Sequence, residues 1–175
     1  MKDSKFILVE HSSIVWSKQL DKFEVGGEMC MERIEELEKH LEDEYYSFTE
    51  ITIGKHRAPE GIVIEKNGEA YNFCYSERGI KTVIKSFLRE KDLVEYAYEE
   101  LSADKWNKAH LVAWVWSEYE ILQAEQDLKK NDIVFERNDI PNYSQGRTAY
   151  RIFVFGRDVV KLAEFKKRYY KKLVL

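Results

Sequence analysis

Along this chain of 175 residues the apolar positions change period several times, and each change marks a boundary between elements. Ile62-Val63-Ile64-Glu65-Lys66 and the alternating run from Glu69 to Ser76 flank Asn67-Gly68. An Asn-Gly pair between alternating runs predicts a two-residue hairpin, because both turn residues must take positive φ. The resulting register sets Lys66 opposite Glu69, Ile64 opposite Tyr71 and Ile62 opposite Phe73. Glu77-Arg78-Gly79 then turns the chain again.

Residues 80–88 carry two periods at once. Ile80, Val83, Ile84, Phe87 and Leu88 have helical spacing. With Arg78-Gly79 as a tight turn, a strand instead brings Ile84 opposite Phe73 and Val83 opposite Cys74. An internal echo favours the strand. Tyr75-Ser76, Gly79, an apolar run and Asp92-Leu93-Val94 are matched by Tyr143-Ser144, Gly146, Ile152-Phe153-Val154-Phe155 and Asp158-Val159-Val160. Ile62, Ile64, Tyr71, Phe73 and Ile84 then form one core face, since a mixed aromatic and aliphatic face is usually buried.

Elsewhere the helical period dominates. Cys30, Ile34, Leu37, Leu41 and Tyr45 form a 3–4 spaced stripe that predicts a helix over 28–45. Phe48, Ile51 and Ile53 alternate as a strand would within 46–54. Asp92 suits the N-cap of a helix running through Leu101, and Ser102 or Asp104 could cap the next. That next helix is predicted over 104–130 and is apolar on nearly every side between 111 and 122, which predicts an enclosed, central position. A strand over 111–116 is the alternative. Strands are predicted at 133–135 and 150–155, and a basic amphipathic helix at 158–170. In the first 25 residues, Phe6–Val9 reads as a short strand and Ile14, Val15, Trp16 and Leu20 as a short helix, before Gly26-Gly27 interrupts. The sum is an α+β chain with a mostly antiparallel sheet packed against several helices in one domain over 1–175.

Composition sharpens this picture. A chain of this length buries about 70% of its unfolded surface. Its 44% hydrophobic and 14% aromatic content fits a globular core. The two scattered cysteines, Cys30 and Cys74, fit a reducing compartment, and no apolar run approaches a signal-peptide core or a membrane span. A cytoplasmic location is therefore expected. The net charge of −4 argues against a generic nucleic-acid binder, yet the charge is unevenly placed. Residues 28–44 hold eight acids against two bases, and residues 157–172 hold seven bases against two acids.

Catalytic patterns are missing. His11, His40, His56 and His110 follow no metal-ligand spacing, and no Cys-x-x-Cys, His-Glu-x-x-His, nucleotide-binding glycine motif or nucleophile elbow occurs. Glu36, His40 and Glu44 share a helical stripe that could offer two carboxylates and an imidazole to a cation, but a solvated charge stripe is the commoner fate of such spacing. Cys30 and Cys74 read as buried, inert thiols. No catalytic residue, metal site or cofactor is assigned, and a small enzyme remains only an alternative. A second alternative is a nucleic-acid-associated module, stacking bases on Tyr71, Phe73 and Tyr75 and using the basic C-terminal helix for phosphates.

Tyr71-Asn72-Phe73-Cys74-Tyr75-Ser76-Glu77-Arg78-Gly79, followed by Asp92-Leu93-Val94-Glu95-Tyr96 and an aromatic-rich stretch to Tyr119, resembles bacterial polymorphic-toxin immunity proteins. The resemblance implies a small cytoplasmic protein that binds and neutralises a cognate toxin domain, possessing no catalytic residues and no cofactor. An acidic surface would suit a basic toxin such as a nuclease, because complementary charge steers association. The partner-binding candidates are Glu35, Glu36, Glu42, Asp43 and Glu44 on the acidic helix, with Glu77 and Arg78 at the turn as a second patch. An exposed tryptophan among Trp106, Trp114 and Trp116 beside such acids would add a hot spot.

Overall fold

A computed structural model describes residues 31–171 as four α-helices and two four-stranded, mostly antiparallel sheets, the α+β architecture that the hydrophobic pattern predicts. Helix α1 (Ile34–Asp43) opens the described chain. It buries the Leu37 and Leu41 stripe, and Glu36 closes its first turn by accepting the backbone N–H groups of Glu32 and Arg33. Tyr45 at φ +56 takes the left-handed conformation just past its end. Cys30 and Gly26-Gly27, with the strand and helix expected in the first 25 residues, lie outside the described residues.

The first sheet runs in the order β1 (Ile51–Ile53), β2 (Gly61–Asn67), β3 (Ala70–Glu77), β4 (Ile80–Phe87). Strand β1 pairs with β2 in parallel and the other two pairings are antiparallel. The Asn-Gly hairpin forms, with its turn displaced by one residue. Asn67 pairs with Ala70, and Gly68 (φ +61) and Glu69 make the bend, so Ile64 faces Phe73 and Ile62 faces Tyr75. Only Gly68 of the Asn-Gly pair has positive φ, and glycine at the first turn position is what a type II′ hairpin favours. The displacement moves each partner by two residues, which leaves every side chain on its expected face.

Residues 80–87 are a strand, as the echo suggests, and Val83 lies opposite Cys74. Ile84 does not meet Phe73. A bulge between Phe73 and Cys74 inserts Ile84 as an extra residue and puts Lys85 opposite Phe73. Ile84 is therefore exposed, whereas Ile64 and Phe73 are buried and Ile62 and Tyr71 pack against them. Four of the five residues expected on that core face occupy it.

Helix α2 (Glu90–Ala103) covers this sheet together with α1, and Leu93, Val94, Ala97 and Leu101 complete the first core. It starts two residues before the expected cap. Asp92 lies in its first turn, where its carboxylate binds the Arg89 guanidinium at 2.8 Å and favours the positive end of the helix dipole. Asp104 does cap, accepting the Trp106 N–H at 2.9 Å to start a 3₁₀ turn over Lys105–Lys108.

The long enclosed helix expected over 104–130 is instead a strand followed by a helix. Strand β5 is Ala109–Val115 and α3 is Glu118–Lys130. The stretch is apolar on every side because both faces of a strand are covered, and Val112, Ala113, Trp114 and Val115 are all buried. Strands β6 (Phe135–Arg137), β7 (Ile140–Ser144) and β8 (Arg147–Phe155) complete the second sheet. Strand β8 is its centre. It pairs with β5 on one side, and β6 and β7 follow one another along the other. A 3₁₀ turn (Gly156–Leu162) and helix α4 (Ala163–Tyr169) replace the single helix expected over 158–170.

The second core gathers Val112, Val115, Ile121, Leu128, Ile152, Val154 and Tyr169. The loop after α1 joins the two cores. Ser47 N–H donates to Asn107 O at 2.7 Å, His110 Nε2 meets Tyr45 O at 2.8 Å, and Lys108 Nζ reaches Glu44 at 3.1 Å.

Candidate functional site

The acidic helix does not present its carboxylates as one free surface. Glu36 is consumed by the helix cap. Glu42 accepts from Lys55 Nζ at 2.6 Å and from His56 Nε2 at 2.7 Å, and Glu44 binds Lys108. These partners hold all three carboxyls below the usual range. The main causes are the backbone N–H groups of Glu32 and Arg33 for Glu36, Lys55 and then His56 for Glu42, and Lys108 for Glu44. Glu35 and Asp43 stay exposed on the outer face of α1.

Glu36, His40 and Glu44 do not come together as a ligand set. His40 instead sits edge-on to Tyr98, with ring centroids 5.4 Å apart. The structure assembles Glu38, Glu42 and His56, whose oxygen and nitrogen atoms all lie within 4.8 Å of one another. The neighbouring Glu36, His40 and Glu44 stripe was the one weighed from sequence, with a solvated charge stripe as the favoured reading. The i, i+4 spacing of Glu38 and Glu42 was visible, but His56 arrives through a loop fourteen residues on from Glu42.

Each group of this trio already has an internal role. Glu38 lies over the backbone of Gly54, where a Cβ would come within 2.0 Å of the carboxylate, and it accepts the Lys55 N–H at 2.8 Å. Gly54 takes φ +53, so glycine serves both the turn and the close approach. Phe48 stacks on the His56 ring at 3.6 Å. The Lys55 ammonium already pairs with Glu42, one of the three groups. The arrangement is an ionic clamp that fastens the β1–β2 loop to α1.

The second predicted patch is placed differently. Arg78 (φ +51) and Gly79 (φ +79) form the β3–β4 turn, and both positive φ values match the type I′ geometry that suits a twisted hairpin. Arg78 N–H donates to Glu60 at 3.1 Å, and its guanidinium lies 3.8 Å from Glu77. Tyr75, Glu77, Arg78, Ile80 and Thr82 line a shallow hollow beside this turn. Beyond it runs β4, none of whose residues is buried. Ile80 is 72% exposed, Val83 and Ile84 are about half exposed, and Leu88 just past the strand is 87% exposed.

Among the described residues β4 is the last strand of its sheet, so its outer backbone edge is unpaired. Its two lysines fold back onto the molecule. Lys81 pairs with Glu65 on β2, and Lys85 lies 4.0 Å over the Tyr96 ring. The Glu65–Lys81 pair reaches from β2 to β4 across the intervening β3, on the face that carries Cys74. Cys74 is fully buried, and burial pushes its thiol pKa up, which leaves it inert.

An aromatic stacking platform does not form. Phe73 and Tyr71 pack into the first core and only Tyr75 of the three is exposed. The basic C-terminal segment is largely neutralised, with Lys161 on Asp158, Lys167 on Glu164, Arg168 on Asp127 and Lys171 on Glu120. Trp114 is buried. Trp106, near Asp104, is 37% exposed but packs edge-on against Phe153 and Phe155. No helix among the described residues is long and apolar enough to cross a membrane. No protein-family model, curated protein or solved structure matches the chain.

Proposed function

We propose that this chain is a non-catalytic binding protein that captures and neutralises a cognate toxin domain in the cytoplasm, as its resemblance to polymorphic-toxin immunity proteins implies. The supporting observation is the apolar margin of the first sheet. Tyr75, Ile80, Val83, Ile84 and Leu88 are all exposed there, beside the Glu77-Arg78 turn. Contiguous exposed apolar residues rimmed by charge mark protein interaction surfaces, because leaving them in water costs free energy that a partner recovers. The turn patch named from sequence adjoins this margin. Of the acidic-helix candidates, Glu35 and Asp43 are the two whose carboxylates remain turned to solvent without an internal donor among the described residues.

The direct test first asks whether a secreted protein with a hypervariable C-terminal domain is encoded immediately upstream, and then mixes that domain with the purified chain. The reading expects a stoichiometric complex and loss of toxicity on co-expression. Ile80→Ser with Ile84→Ser should weaken the complex at least about tenfold, the equivalent of 1.4 kcal/mol, and leave the circular dichroism unchanged. Absence of a complex at micromolar concentration, or full affinity in the folded double variant, would overturn it.

A further inference from the structure

Glu38 and Glu42 stand one helical turn apart on α1, so their side chains leave the same face, and the β1–β2 loop returns His56 to that face. His56 Nε2 lies 2.7 Å from Glu42 Oε1 and 3.9 Å from Glu38 Oε1. One donor atom from each residue lies within 4.8 Å of the other two. Ligand atoms at zinc–ligand distances of about 2.0–2.1 Å in a tetrahedral site stand roughly 3.3 Å from one another. The two measured separations bracket that value.

The groups are held ready for such a site. Phe48 stacks on the His56 ring with the planes only 10° apart, which fixes the direction of Nε2. The missing Cβ of Gly54 leaves the space that the Glu38 carboxylate fills. All three side chains are partly buried, so they are sheltered yet open to an ion from solvent. Among the described residues no other three histidine, cysteine or acidic side chains converge in this way.

Charge and donor type then select the ion. Two carboxylates and a neutral imidazole total −2, which one divalent cation cancels. Calcium and magnesium ask for six or more ligands, nearly all of them oxygen. One imidazole with two carboxylates is instead a zinc set, in which three protein ligands leave a fourth position for water. The competitor is Lys55, whose ammonium lies 2.6 Å from Glu42. Its side chain is mostly exposed and flexible, so it can swing away into water.

We propose that Glu38, Glu42 and His56 bind one zinc ion, which displaces the Lys55 ammonium and fastens the β1–β2 loop to α1 in its place. His56 coordinates through Nε2 as the neutral imidazole, and each glutamate gives one oxygen. The site is independent of the partner-binding reading and stands or falls without it.

The test uses the full chain, stripped with a chelator, and zinc chloride alone. Calorimetry at neutral pH should show one zinc per chain with micromolar or tighter affinity, and magnesium and calcium should not compete. NMR should centre the shifts on residues 38–42 and 54–57 and leave His40 and His110 unmoved. Glu42→Gln and His56→Gln should each weaken zinc at least about tenfold, since even outer partners of a ligand are worth that much. Lys55→Gln should tighten it about 2- to 5-fold, the worth of the surface ion pair that zinc no longer has to break.

Four outcomes would overturn the proposal. Zinc affinity that survives either ligand variant is one, and shifts centred on other residues of the unaltered chain are another, which decides the matter even if a variant fails to fold. A third is weaker binding in Lys55→Gln, which would make the ammonium a support instead of a competitor. The last is no binding at about 100 μM zinc, far too weak for a site whose donors are already gathered.

Discussion

The hairpins β3–β4 and β7–β8 turn on the same backbone. Arg78 and Gly79 sit at φ +51 and +79, and Gln145 and Gly146 at +50 and +75. Each hairpin leads from its second strand into helical structure that packs on its own sheet. Their second strands nevertheless lie in opposite environments. Strand β8 is paired on both sides and buries Ala149, Ile152 and Val154, while β4 is, among the described residues, an edge with no buried residue. Local sequence determines the turn and the strand. Whether that strand becomes centre or edge depends on what else the chain brings to its far side, and for β8 this is β5.

The largest effect should separate these two strands directly. Ile152→Ala opens a cavity under a fully buried side chain and should cost about 2–5 kcal/mol. Ile84→Ala, on the exposed bulge of β4, should stay within about 0.5 kcal/mol. Urea unfolding of the two variants measures both. A cost above 1.5 kcal/mol at Ile84 would show that β4 is covered in solution and would break the contrast.

The two turns, by contrast, should respond alike. A Cβ added at Gly79 or Gly146 meets nothing within 4 Å, so alanine at either position introduces left-handed strain alone. Each substitution should cost about 1–2 kcal/mol. A clear difference between them in the same urea assay would mean that the turns are not energetically equivalent despite matching φ.

Much of this contrast was legible in the residues, and its limits have physical causes. Arg78-Gly79 was legible as a turn through Gly79, since glycine takes positive φ at no steric cost, and the echo favoured the strand found over residues 80–87. The hairpin face survived a displaced turn because strand faces repeat every two residues. Three features could not be read. Ile84 left the core through a bulge, which has no period. Residues 109–115 passed for a buried helix because an all-apolar run fits either buried state. Strand order, which makes β4 an edge among the described residues, is a long-range property that no local pattern records. At the candidate site, the Glu77-Arg78 turn was readable as a turn. The apolar margin beside it was not, and neither was the pairing of Glu42 with Lys55 and His56, which depends on a loop folding back.

The second half carries the largest alkaline shift in Tyr169. Tyr169 is buried in the second core and donates to Asp127 at 2.7 Å; burial first, and then that hydrogen bond, push its pKa up to about 12. A raised folded pKa stabilises the fold fully below the ordinary tyrosine value near 10 and loses that contribution as pH rises towards 12. The second half should therefore loosen between pH 10 and 12. Absorbance at the tyrosinate band should show a late-titrating component that shrinks in Tyr169→Phe, with Tyr46 and Tyr96 of the first half, which burial also shifts up, supplying what remains. That variant should lose about 1 kcal/mol at neutral pH, the net value of one hydrogen bond.

The smallest effect lies at the acid end and belongs to the first half. Glu36, Glu42 and Glu44 have folded pKa values below their ordinary value of 4.5 because each carboxylate is held by donors. A lowered folded pKa gives stability that is present above 4.5 and lost as pH falls through the folded value. All three groups are open to solvent, so each contributes little. Their positions matter more than their strength, since Glu42 fastens the β1–β2 loop and Glu44, through Lys108, ties α1 to the start of β5. Acid should therefore release the joint between the cores before it melts either one. Amide exchange at Ser47 and His56 should accelerate below pH 4.5 while Ile152 stays protected. In the combined variant Glu36→Gln, Glu42→Gln, Glu44→Gln, that acceleration should be present at neutral pH and the acid step should vanish. If instead the acid step persists in the variant, the joint is held by groups other than these three, and the two hairpins differ only in what pairs with their strands.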